Sequence, residues 1–96
     1  MNKELSENES IIEGHWITKD GDVIGDENCQ RIKFLIENAL EFVTQDESGW
    51  QKLYIDRAFN NYWELTHPQS EMHGGGPPTL KRIDDKIELR KTYKVI

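Results

Sequence analysis

The chain carries a single cysteine, Cys29, in 96 residues, which excludes an internal disulfide and any zinc site built from several thiolates. It lacks a run of the roughly 18 apolar residues that crossing a bilayer requires. Its opening, MNKELSENES, is polar where a secretory signal is apolar. The expected location is therefore the cytoplasm, without membrane contact. Hydrophobic residues make up only 35% of the chain and charged ones 31%, a balance that suits a soluble domain with a modest core. Basic residues are in deficit, twelve Lys and Arg against eighteen Asp and Glu, for a formal charge of −6. That sign repels a phosphate backbone, argues against nucleic acid as a partner, and favours a basic protein surface.

A chain this short has room for one domain around one core. Residues 1–10 are too polar to offset their ordering entropy and are expected to form a flexible leader, with the single domain over 11–96. From there Ile12, Gly14, Trp16 and Thr18 fall on one face of an extended segment. Lys19-Asp20-Gly21-Asp22 then supplies turn chemistry before Val23-Ile24, which predicts an opening hairpin. Asp26 stands at an N-cap position, and Cys29, Ile32, Ile36, Ala39, Leu40 and Val43 follow at helical spacing, predicting a helix over about residues 27–43. Phe34 and Leu35 widen the stripe, as packing on a sheet requires.

Strands are expected from Trp50 to Asp56 and from Tyr62 to Thr66, joined at Asn60-Asn61 and closed by His67-Pro68. A further strand covers Leu80 to Ile83. Ile87, Leu89, Lys91, Tyr93 and Val95 alternate as in a last strand that completes the sheet after an Asp84-Asp85 turn. The fold class is α+β, an antiparallel sheet of about five or six strands packed by one main helix. Trp16, Trp50 and Trp63 occupy strand positions that suit the core better than base stacking.

Residues with catalytic chemistry are few. His67, Glu71 and His73 could ligate a divalent metal, which leaves a small metal-dependent enzyme as an alternative, but the helical spacing H-E-x-x-H is absent. Glu71 and His73 are better explained as hydrogen-bonding the backbone of their loop. The triple glycine lacks the Gly-Lys-Ser/Thr of a phosphate loop. Cys29, on the apolar face of the helix, reads as an inert packing residue. No catalytic residue, metal or cofactor is expected.

The stretch from Tyr62-Trp63-Glu64 through Pro68-Gln69, Glu71 and His73-Gly74-Gly75-Gly76-Pro77 is compositionally unusual. It resembles the immunity protein 27 family of bacterial polymorphic toxin systems. The likeness extends to Gly14-x-Trp16, Cys29-x-Arg31-Ile32 and Trp50 with Leu53-Tyr54, and covers roughly residues 12 to 83. The resemblance implies a protein made beside a toxin gene that protects its cell by binding the toxin's active domain, and the charge of −6 adds the expectation that this cognate toxin domain has a basic active-site face. Asp85 to Ile96 fall outside the pattern. Trp63, Pro68, Gly74, Gly75, Gly76 and Pro77 read as scaffold for a fixed loop. Partner contact is expected at Asp20, Asp22, Glu64, Glu71 and His73, and Asp46 and Glu47 are further acidic candidates. A general interaction module that takes peptides at a sheet edge is the other alternative.

Overall fold

The computed structural model describes residues 5–68 and 76–94. The elements run β1 (Ile11–Glu13), β2 (Trp16–Lys19), β3 (Asp22–Gly25), α1 (Glu27–Asn38), β4 (Leu40–Gln45), β5 (Lys52–Asp56), β6 (Asn61–Thr66), β7 (Thr79–Ile83) and α2 (Lys86–Tyr93). Five strands form one antiparallel sheet in the order β1-β7-β6-β5-β4, while β2 and β3 pair as a separate ribbon. The α+β class is as the sequence predicts.

Alternation along each strand gives the sheet two buried faces, and each receives a helix. On one face Ile12, Leu80 and Leu65 stand in register across β1, β7 and β6. With Leu40, Tyr54 and Trp63 they pack against Ile32 and Leu35 of α1. On the other face Leu53 and Ile83 pack beneath Leu89 and Tyr93 of α2. Each fully buried aliphatic side chain contributes about 1.5–3 kcal/mol of transfer free energy. Among the described residues no helix is long and apolar enough to cross a membrane.

Two elements depart from the sequence reading. The helix expected to reach Val43 stops at Asn38, where Ala39 leaves helical geometry and its N–H donates to the Leu35 carbonyl at 2.9 Å. Leu40 reaches the core equally well from a strand, and Phe42-Val43-Thr44 prefers the pleated surface because branched and aromatic side chains crowd a helical turn. The register shifts between Phe42 and Thr44, so the strand carries an irregularity that alternation alone does not reveal. The described part of the expected C-terminal strand is instead α2, started by Asp85, whose side chain accepts from the Ile87 amide at 2.8 Å, while Val95 lies outside the described residues. Leu89 and Tyr93, four apart, are buried, whereas Ile87 is 62% exposed. The buried spacing is that of a helix.

The tryptophans divide as well. Trp63 is 1% exposed and central to the core, but Trp50, in the turn before β5, is 70% exposed and Trp16 is 38% exposed. The expected core role therefore holds for Trp63 alone. The segment from Ile12 to Thr18 is not one strand: Gly14 and His15 break it between the two sheets. Residues 5–10, expected to belong to the leader, are tied down. Leu5 packs on the core, Glu9 accepts two hydrogen bonds from Arg31 at 2.6 Å each, and Arg82 donates to the carbonyls of Glu7 and Glu9 at 3.0 Å. The Arg31 guanidinium accordingly holds the Glu9 carboxyl below its ordinary range.

Candidate functional site

The ribbon and the loop end that follows the glycine run meet at a tightly packed junction. The Gly14 amide donates to the Pro78 carbonyl at 2.8 Å. A methyl group on Gly14 would stand 2.6 Å from Cys29 Sγ and 2.8 Å from that carbonyl oxygen, and one on Gly25 would stand 2.7 Å from Cys29 Cβ. Only residues without Cβ let the two ends of the ribbon approach the first turn of α1 so closely. Asp26 joins these parts. Its amide donates to the His15 carbonyl at 2.9 Å, and its Oδ1 accepts from the Cys29 amide at 2.9 Å as the helix N-cap. Its Oδ2 lies 3.5 Å from His15 Nδ1. Partial burial raises the Asp26 carboxyl, but backbone hydrogen bonds with Cys29 and His15 outweigh it and leave the group below its usual range.

Cys29 itself is half-buried, its Sγ 3.6 Å from the His15 carbonyl. Burial, followed by the Asp26 carboxylate, pushes the thiol up, which keeps it protonated and weakly nucleophilic. Its side chain packs against Gly14 and Gly25 at the base of the ribbon rather than in the core where the sequence reading put it. Three segments singled out in the sequence thus converge: Gly14-x-Trp16, Cys29-x-Arg31-Ile32 and Pro77-Pro78. A cleft of about 170 Å³ opens beside this junction, between the Gly14 segment and the loop end, lined by Glu13, Gly14, His15, Pro68, Pro77 and Thr79.

Beyond this base stands the ribbon. Asp20 and Gly21 have φ of 53° and 85°, the pair of positive values that a two-residue hairpin turn demands. The predicted hairpin is present, and its tip sets Asp20 and Asp22, both exposed, around Gly21. Every residue of β2 is exposed, including Ile17 at 44%, and Val23 on β3 is 68% exposed. Among the described residues the two strands pair with no other strand.

Among the described residues, the other acidic candidates, Glu64, Asp46 and Glu47, have internal partners. Glu64 is half-buried on the α2 side of the sheet, and its Oε2 accepts from Tyr93 Oη at 2.7 Å. Burial and then this carboxylate push the Tyr93 phenol far up, so it remains a donor at any ordinary pH. Asp46 organises the turn between β4 and β5 by accepting from the Gly49 amide at 2.9 Å and from Ser48 Oγ at 2.8 Å. Glu47 pairs with Lys94 at 3.1 Å. Pro68 is exposed, whereas Gly76 and Pro77 are buried in the loop end. Glu71, His73, Gly74 and Gly75 lie outside the described residues. His67, the other member of the metal triplet, is half-buried with its imidazole pushed down by burial and then by Lys52.

Sequence reasoning missed the asymmetry of charge. Residues 13–27 carry Glu13, Asp20, Asp22, Asp26 and Glu27 against Lys19, five negative charges and one positive, so −4 of the chain's −6 falls in these fifteen residues. A running charge window finds it, whereas the whole-chain sum conceals it. The exposure of Ile17 and Val23 was also missed, because alternation says that a strand has two faces and not that both stay open.

The family model described as Immunity protein 27 matches residues 18–84, a span from the second half of β2 to just past β7. Comparison with curated proteins and with solved structures finds no match.

Proposed function

The chain belongs to the immunity protein 27 family, and from that premise we propose that it binds and neutralises a cognate bacterial toxin domain in the cytoplasm, by covering the toxin's active site. The family match over residues 18–84 carries this reading. Physical support comes from the fold. Each sheet face is packed by a helix, so the outer surface is presented on a rigid frame, and a rigid surface loses less entropy on binding. Occlusion needs only such a surface, with a buried anchor and a satisfied polar rim, and no reacting group.

The acidic balance supports a basic counter-surface on the toxin. Opposite fields accelerate encounter, and the acceleration fades as salt shortens the Debye length to about 8 Å at physiological ionic strength. Of the described acidic residues considered for contact, Asp20 and Asp22 are exposed and their carboxylates hold no hydrogen bond or ion pair, while the Asp20 backbone, at a φ of 53°, helps form the turn. Glu64 already accepts from Tyr93.

The decisive experiment is co-expression of the full chain with the toxin domain encoded beside its gene. Growth is expected to be restored, and the two proteins are expected to co-purify. Continued killing with both proteins soluble overturns the reading.

A further inference from the structure

We propose that the β2–β3 ribbon is the element that engages the toxin, as a preorganised acidic finger inserted into a cleft lined by Lys and Arg side chains. This rests on the toxin-binding reading above and assigns the contact to one element. Three independent observations converge on it.

Charge is the first. Residues 13–27, the ribbon with its flanks, hold −4 of the formal −6: Asp20 and Asp22 against Lys19 give the ribbon itself −1, and Glu13, Asp26 and Glu27 add −3 around its base, leaving only −2 for the other 81 residues. Glu13, Asp20, Asp22 and Glu27 are exposed, and Lys19 sits opposite Asp22 in the ladder. A field so concentrated selects a partner surface of opposite sign and orients it towards this end of the molecule.

Apolar exposure is the second. Trp16, Ile17 and Val23 are three of the eight large hydrophobic residues that lie exposed among the described residues, and they come from an eight-residue ribbon. The register sets Ile17 opposite Ile24 and Thr18 opposite Val23, so Ile17 and Val23 project from opposite faces. A flat partner surface reaches one face of a ribbon, whereas a cleft reaches both. Four residues per strand span about 13 Å, a length that a cleft can enclose. Apolar anchors ringed by charge are the usual anatomy of an energetic contact.

Preorganisation is the third. A free two-stranded hairpin is marginally stable in water. Here both ends are clamped: Gly14 by Pro78, Gly25 against Cys29, and His15 to Asp26 through a 2.9 Å backbone hydrogen bond. The turn adds the Asp-Gly pair with its positive φ angles. A ribbon already in its bound shape loses little entropy on docking.

The test measures the affinity of the full chain for the toxin domain encoded beside its gene, for wild type, the double variant D20K/D22K, and a control E7K/E37K. The control makes the same change in net charge at exposed positions outside the ribbon. Circular dichroism melts verify that both variants are folded. The expected result is that D20K/D22K loses tenfold or more in affinity relative to the control, and that its binding no longer weakens with added salt as steeply as wild type. A loss of less than tenfold relative to the control overturns the finger. Failure of wild type to bind overturns the toxin-binding reading and the finger together, so the two failures are distinguished by the wild-type measurement.

Discussion

The five-stranded sheet buries Leu35, Leu53 and Leu80 completely between its strands and its two helices, whereas every residue of β2 is exposed. Both regions are antiparallel β-structure with alternating side chains, yet one spends its hydrophobic residues on the interior and the other presents them to water. The difference lies in what covers them. Helix α1 closes one face of the sheet and α2 the other, while the ribbon is held at its base by close backbone approach and an N-cap. Stability is therefore expected to respond strongly to changes in the sheet and weakly to changes at the ribbon, and binding in the opposite sense.

The largest effect is expected from Leu53→Ala. Leu53 is wholly buried in the layer beneath α2, and truncation loses transfer free energy and leaves a cavity, for a cost of about 3 kcal/mol. Urea melts should show a lowered midpoint with an unchanged slope. A cost below about 1 kcal/mol would mean that α2 does not seal this face.

How much of that contrast was legible beforehand depended on the element. Asp26 followed by an apolar stripe located the start of α1 because an N-cap is a local chemical requirement. The end was obscured because Leu40 and Val43 fit a period of 3.6 as well as a strand, and the choice between them was made by tertiary packing. The same ambiguity concealed α2: Ile87, Leu89 and Tyr93 alternate, but only burial of Leu89 and Tyr93 with exposure of Ile87 reveals the helical spacing. The Asp20-Gly21 turn was legible because its positive φ angles select those residues. That the ribbon stands uncovered was not legible, since exposure depends on where other segments of the chain go.

The junction between the two regions gives the next largest effect. Gly14→Ala places a methyl group within 2.6 Å of Cys29 Sγ and 2.8 Å of the Pro78 carbonyl oxygen. Overpacking of this kind costs about 2 kcal/mol. Hydrogen exchange is expected to quicken first in β2 and β3 and in the first turn of α1, because the clash separates the base of the ribbon from its clamp. Uniform loosening of all strands would instead show that ribbon and sheet open as one unit.

Acid provides a smaller lever on the sheet side. Glu9 is held by Arg31, and its folded value lies below the ordinary 4.5. In the unfolded chain it takes up a proton as pH falls past 4.5, while in the folded chain it resists. The stabilisation is therefore complete above that value and is lost as pH drops through the depressed folded value. Glu9→Gln should flatten the loss of melting temperature between neutral and acidic pH. An equally steep acid loss in the variant would assign it to other carboxylates, Asp26 first, since its value is also depressed.

The smallest expected change tests the ribbon most directly. Val23 is 68% exposed, and Val23→Thr preserves the branched shape that suits a strand while replacing a methyl group with a hydroxyl already in contact with water. Melts of wild type and variant should agree within about 0.5 kcal/mol, as for surface positions generally. If Val23 seats the finger in its cleft, the same substitution should weaken toxin binding several-fold, mainly through faster dissociation, because a desolvated anchor governs residence time more than encounter. A change in stability without a change in dissociation would return Val23 to the fold and take from the ribbon the separate role that its exposure implies.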